Sequence, residues 1–283
     1  MKKTLSIVTI LISATIVSSC MSNLTHKQEN TANKIASPAF LHQRVIYTNP
    51  FNLTIYERVN KKKSTINIYI EGDGFAWVSR RQKSLDPTPK TPLALKLAAN
   101  DGADNVVYIA RPCQYTKWQN EGACPNKYWT SHKYSSIIIS SINEAIDQIK
   151  TRYNATGFNL IGYSGGGAIA ALISADRDDI LSLRTVAGNL DIDAHTKIHK
   201  VTQLYGSLNP IDIAPKLATL PQRHFVGMKD KNITPAIYRS YSKAIGNTNC
   251  LNYSLVANAS HNKGWAERWS ALLKEPVECL TAK

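Results

Sequence analysis

Between Phe158 and Leu172 a short apolar stretch leads through Gly162-Tyr163-Ser164-Gly165-Gly166 into small and apolar residues at helical spacing. The spacing predicts a strand that turns sharply into a helix and lifts the Ser164 hydroxyl above the end of a sheet. Such a turn strains the serine and brings strand and helix close together, so side chains at Gly162 and Gly166 would clash. Gly165 follows the serine, and its N–H would point at an oxyanion held beside Ser164. A dinucleotide or phosphate loop fits worse. Ser164 stands where Gly-x-Gly-x-x-Gly requires glycine, and no Gly-Lys-Ser/Thr follows. On the pentapeptide alone, an ordinary strand-to-helix turn remains open.

The rest of the chain is ordered around this turn. Strands are expected over 44–48, 51–59 and 65–71, the last running into Glu71-Gly72-Asp73-Gly74. A helix over 87–100 and a strand over 105–110 come next, then an aromatic loop from Cys113 to Lys133. Ile138, Ile142, Ala145, Ile146 and Ile149 share one face of a helix over 135–153. Past the serine turn, a strand over 183–187 opens into Asp191, and about thirty residues of short helices and turns intervene. A strand over 223–228 ends at Lys229-Asp230, a helix spans 235–246, and a last strand over 251–257 precedes His261 and a closing helix over 262–273. Strands alternating with helices argue for an α/β chain with a mostly parallel sheet and helices on both faces. At 283 residues and 43% hydrophobic content, one large domain over 40–283 has a sufficient core.

The order strand, serine turn, helix, strand, variable segment, strand-Asp, helix, strand-His resembles that of the α/β-hydrolase superfamily, over residues 40–275. The resemblance implies an α/β-hydrolase fold with a small cap segment, Ser164 as nucleophile, His261 as base and Asp230 as the acid that orients it. Asp191, just after the strand that follows the serine turn, is the rival acid, and Asp212 a weaker one. The other six histidines have poor positions: His26 and His42 in or near the amino-terminal segment, His132 in the aromatic loop, His195 and His199 in the variable segment, and His224 at the start of its strand. For the oxyanion, the resemblance implies the N–H of Gly165 and a second donor after the third strand, Asp73 first and Gly74 next. Members often carry His-Gly there, whereas this chain carries Glu71-Gly72-Asp73-Gly74. The Asp73 carboxylate must therefore turn away from the oxyanion, toward a cation. The expected activity is that of a serine hydrolase on small-molecule esters, with thioester and peptide bonds open and no cofactor or metal. The alternative is a catalytically silent binding or structural protein on the same fold. The short variable segment suits an open acyl site and short esters.

The amino terminus reads as an address. Met1-Lys2-Lys3 and the apolar run from Leu5 to Val17 form a signal peptide over 1–19. Val17-Ser18-Ser19-Cys20 resembles the lipobox of bacterial lipoproteins, which implies a lipidated Cys20 and a polar tether over 20–39. Without an aspartate directly after the cysteine, the resemblance implies the outer membrane, facing the periplasm. Four cysteines remain, an even number that suits export and allows three disulfide connectivities. Pairing by proximity joins Cys113 to Cys124 and Cys250 to Cys279. No Cys-x-x-Cys spacing or His cluster supports a metal site. The formal charge of +14 is scattered, its densest run being Lys61-Lys62-Lys63, which argues against nucleic acid and for a solvated or lipid-facing surface.

Overall fold

The computed structural model describes residues 26–116 and 124–280. The expected signal peptide and expected lipobox with Cys20, and part of the aromatic loop (117–123), lie outside the described residues. Eight strands form one sheet: β1 (His42–Tyr47), β2 (Asn52–Val59), β3 (Ile66–Ile70), β4 (Asn105–Ile109), β5 (Phe158–Tyr163), β6 (Ile180–Val186), β7 (Gln222–Gly227) and β8 (Leu251–Val256). Their order is β1-β2-β4-β3-β5-β6-β7-β8; β2 runs antiparallel to β1 and β4, and all other pairs are parallel. The inner parallel strands read as continuous apolar runs because both of their faces are covered, and β4 is buried along its whole length.

Helices cover the two faces. Tyr69 pairs with Ile161, and its hydroxyl accepts the indole N–H of Trp269, which begins α8 (Trp269–Leu272). Gly162, whose Cα faces the other way, meets α4 (Gly165–Ser174). Helices α2 (Leu93–Ala99) and α3 (Ser136–Tyr153) flank β3–β4 and β1–β2. The isoleucine face of α3 is buried as the spacing predicts, and every residue of α4 is buried. Each fully buried Ile or Leu there stabilises the fold by about 1.5–3 kcal/mol relative to exposure. The segment after β6 holds α5 (Ile192–His199) and α6 (Pro210–Ile213); α7 (Pro235–Ile245) links β7 to β8. Cys113 is bonded to Cys124, and Cys250 to Cys279, so the tail after α8 is tied to the start of β8.

Three expectations need correction. The helix expected over 87–100 starts only at Leu93, because Pro87, Pro89 and Pro92 lack the N–H that a helix interior needs. The closing helix shrinks to a short 3-10 turn and α8, since residues 260–264 are spent on a loop that holds His261. The polar segment read as a tether is helical over 26–36 (α1). It packs through Ala32 and Ala36, and the buried Gln28 amide donates to the Thr88 carbonyl at 2.8 Å. Its buried contacts are made mostly by small and polar side chains, with Ile35 partly buried against the core.

Register aligns the strand ends. Ile70 pairs with both Ile109 and Gly162, Tyr163 with Val186, and Gly227 with Val256. Glu71, Ser164, Asp230 and His261 therefore all emerge at the carboxyl edge of the sheet, where open α/β sheets place their crevice.

Candidate active site

Ser164 sits between β5 and α4 with φ 52° and ψ −118°. A non-glycine residue held there costs of order 1–3 kcal/mol. The surroundings fix it: its N–H donates to Val186 O, and its carbonyl accepts from the N–H groups of Gly167 and Asn189, each at 3.0 Å. The glycines are steric requirements. A Cβ on Gly162 would lie 2.3 Å from Gly166 O, and one on Gly166 would lie 2.1 Å from Ile70 O.

Ser164 Oγ lies 3.1 Å from His261 Nε2, and His261 Nδ1 lies 2.9 Å from Asp230 Oδ2. Ser164 is 7% exposed, and the Asp230 side chain is fully buried. Burying a carboxylate is tolerated only where its lone pairs are filled. Asp230 Oδ1 accepts the N–H groups of Asn232 and Ile233 at 2.8 and 2.9 Å, so Oδ2 is left facing the imidazole. The loop carrying His261 is pinned from two sides. The Tyr163 hydroxyl donates to Asn262 Oδ1 at 2.6 Å, and the Trp265 indole donates to Ser260 O at 2.7 Å.

The rival acid is engaged elsewhere. Asp191 caps α5, its Oδ1 accepting from Ala194 N at 2.9 Å while Oδ2 accepts the Ser240 hydroxyl. Asp212 lies exposed in the first turn of α6. His224 is a satisfied core histidine between Thr185 and Gln222, and burial pushes it down to about 3. His195 and His199 brace the acid loop instead, contacting the side chain and the carbonyl of Asn232. Burial, with the Lys133 charge, holds His195 down at about 4.

Asp73 carries the charge expected to be troublesome. Its carboxylate lies against Gly165, where a Cβ would stand 2.1 Å from Oδ1. It is held by Lys133 Nζ at 2.5 Å, by Arg111 Nη1 at 3.2 Å and by the Tyr134 hydroxyl at 3.2 Å. Burial would raise this carboxyl, but the two cations outweigh it and hold it at about 2. Two positive charges thus face one negative charge beside the N-terminus of α4, which is the sign an oxyanion needs. Among the described residues, neither the Asp73 nor the Gly165 N–H is engaged by a backbone carbonyl. Gly74 has φ +66°, and a Cβ there would stand 2.1 Å from Pro87 O, so its requirement is both conformational and steric.

Glu71 is fully buried behind this loop. Its Oε1 accepts from Gly72 N at 2.9 Å and its Oε2 from the Tyr108 hydroxyl at 3.2 Å. Burial outweighs these bonds and raises it to about 7. Arg111, Lys133, Tyr134 and Tyr163 were not singled out from the sequence. A signal for Arg111 existed, since it lies two residues past the end of β4 at the same edge of the sheet as Ser164.

No protein-family model matches the chain, and no curated protein matches it in sequence. Solved structures do match its fold. An esterase of Pyrococcus furiosus is 12% identical with a TM-score of 0.57, covering 84% of this chain and 91% of that one. A bacterial membrane phospholipase A is 14% identical with a TM-score of 0.54, covering 96% and 98%. An α/β serine hydrolase homologue from Coxiella burnetii is 13% identical with a TM-score of 0.56, covering 82% and 93%. At these identities the likeness establishes an α/β-hydrolase fold.

Proposed function

We propose that the chain, on an α/β-hydrolase fold, is a serine hydrolase of carboxylic esters. The observation that carries the reading is the continuous relay from Ser164 Oγ through His261 to the buried Asp230 carboxylate. Ser164 Oγ attacks the acyl carbonyl while His261 Nε2 takes its proton and Nδ1–H donates to Asp230. The carbonyl oxygen becomes an anion facing the N–H groups of Gly165 and Asp73, each such donor lowering the barrier by roughly 2.7–4 kcal/mol. The imidazolium returns its proton to the leaving alkoxide, and water then deacylates Ser164 by the same route. Esterases among the structures of similar fold support ester chemistry, and with it small-molecule ester substrates.

The segment between β6 and β7 holds only the short α5, α6 and a 3-10 turn, which supports an open acyl site. Each further methylene contributes about 0.8 kcal/mol only where apolar surface encloses it. A panel of soluble esters, each assayed below its micelle concentration, should give kcat/KM falling with acyl length and no turnover by Ser164→Ala. Turnover by Ser164→Ala at the wild-type rate would sink the reading, and a steady rise from acetyl to decanoyl esters would sink the open site.

The lipobox at Val17–Cys20 and the two disulfides support residence in the bacterial envelope, anchored through Cys20. Intact mass of the purified protein should show an acylated Cys20; an unmodified chain cut elsewhere would contradict the anchor.

A further inference from the structure

Between Gly74 and α2 the chain leaves the sheet and folds into a small hairpin. Val78 N donates to Gln82 O at 2.8 Å, Ser84 N to Ala76 O at 2.9 Å, and Trp77 bridges Lys83. Its root is tied down where Phe75 N donates to Pro87 O at 2.9 Å and the Trp129 indole to Ser84 O at 3.1 Å. Its backbone bonds are thus made, yet its large apolar side chains stand in water: Trp77 is 44% exposed, Val78 51% and Leu85 61%. Three large apolar side chains exposed within ten residues of one hairpin are more than scattered surface groups and mark a contact element.

Charge names the partner. Arg80, Arg81 and Lys83 are exposed on the same hairpin, and no carboxylate pairs with them among the described residues. Asp86 is the one acid between Gly74 and Pro92, and it is buried, with Oδ1 accepting Thr88 N. Tryptophan with arginine and lysine, and no exposed acid, is the composition that settles at the headgroup level of an anionic membrane. Chain length points the same way. The Gln28 amide of α1 donates to Thr88 O, beside the hairpin root. Cys20 precedes His26 by six residues in sequence, a reach of at most about 20 Å.

We propose that the 76–85 hairpin docks on the surface of an anionic phospholipid bilayer, with Trp77, Val78 and Leu85 entering the headgroup layer and Arg80, Arg81 and Lys83 meeting the lipid phosphates. Docking there holds the Gly72–Gly74 loop, and with it the approach to Ser164, at the lipid surface. The inference goes beyond the hydrolase reading and its test needs neither turnover nor lipidation; only the chain-length argument rests on the proposed anchor at Cys20.

The test reads Trp77 itself, in the full chain. Vesicles of equal parts phosphatidylcholine and phosphatidylglycerol, with brominated acyl chains, should quench wild-type fluorescence in excess of the quenching seen in Trp77→Phe. That Trp77-dependent quenching should be much weaker on phosphatidylcholine alone. In Arg80→Gln/Arg81→Gln/Lys83→Gln the docked-to-undocked ratio should fall at least about fivefold, the loss expected for even one cation near an anionic surface. Lys61→Gln/Lys62→Gln/Lys63→Gln, an equal charge change on an exposed run elsewhere, should stay near wild type. Equal loss in both triple variants would mean diffuse attraction by net charge and overturn the hairpin as the docking element. Absence of Trp77-dependent quenching on the anionic vesicles would overturn it as well. So would shielding of Trp77 from an aqueous quencher without lipid, which would show a second copy covering the hairpin.

Discussion

Asp230 and Asp73 differ in what fills their lone pairs, and that difference separates their roles. Asp230 Oδ1 is saturated by two backbone N–H groups, so in Asp230→Asn the amide oxygen keeps that place and its NH2 faces His261 Nδ1. The imidazole is then forced to carry its proton on Nε2, where it cannot accept one from Ser164. We expect Asp230→Asn to keep its fold and lose roughly 10⁴ in kcat. Asp191→Ala removes a helix cap instead, costing about 1 kcal/mol of stability and at most a fewfold in rate. Steady-state kinetics beside urea denaturation checks both, and the reverse pattern would assign the acid to Asp191. Asp73 depends on Lys133 and Arg111 for neutralisation next to Gly165. Lys133→Ala should lower kcat about 10²-fold, the scale of one lost oxyanion donor, and Asp73→Asn in that background should restore part of it. No restoration in the double variant would mean the carboxylate does not oppose the oxyanion.

At the scale of elements, Glu71 links the end of β3 to the start of α2. Its carboxyl is raised from 4.5 to about 7, so the native state holds a proton that the unfolded chain releases. Its contribution to stability is complete below about pH 4.5 and is lost as pH rises to about 7 and beyond, a swing of roughly 3 kcal/mol. Asp73 has the opposite sign: its contribution is lost only as pH falls from 3.8 toward about 2, outside that window. Chemical denaturation of wild type and Glu71→Gln from pH 4 to 9 should show the decline in the first and its absence in the second. Parallel curves would refute the assignment. The elements legible in the sequence were those with a strong period or a steric demand. The isoleucine face of α3 and the glycines around Ser164 are examples. Helix α1 was missed because its inward face is short and weak: Ala32, Ile35 and Ala36 stand at helical spacing, but only Ile35 is large and the flanking residues are polar. The late start of α2 could have been read from Pro87, Pro89 and Pro92.

For the whole molecule, sheet order is what makes the site. Ser164, Asp230 and His261 are far apart in sequence, and parallel register delivers them to one edge. Strand order with a serine turn, an aspartate and a histidine at strand ends was enough to anticipate that meeting. The cations around Asp73 were not anticipated by name, because Arg111 and Lys133 flank different elements and converge only through β3–β4 pairing and the start of α3. The disulfides join the nearest cysteines in sequence, closing loops that should each stabilise the fold by about 2–4 kcal/mol. The proposed hydrolase activates one serine among many. Labelling with a fluorophosphonate, followed by peptide mapping, tests it most directly. A single modified residue, Ser164, is expected, with labelling abolished in Ser164→Ala and His261→Ala; an intact, folded wild type that takes up no label, or takes it up at another serine, would overturn the hydrolase proposal.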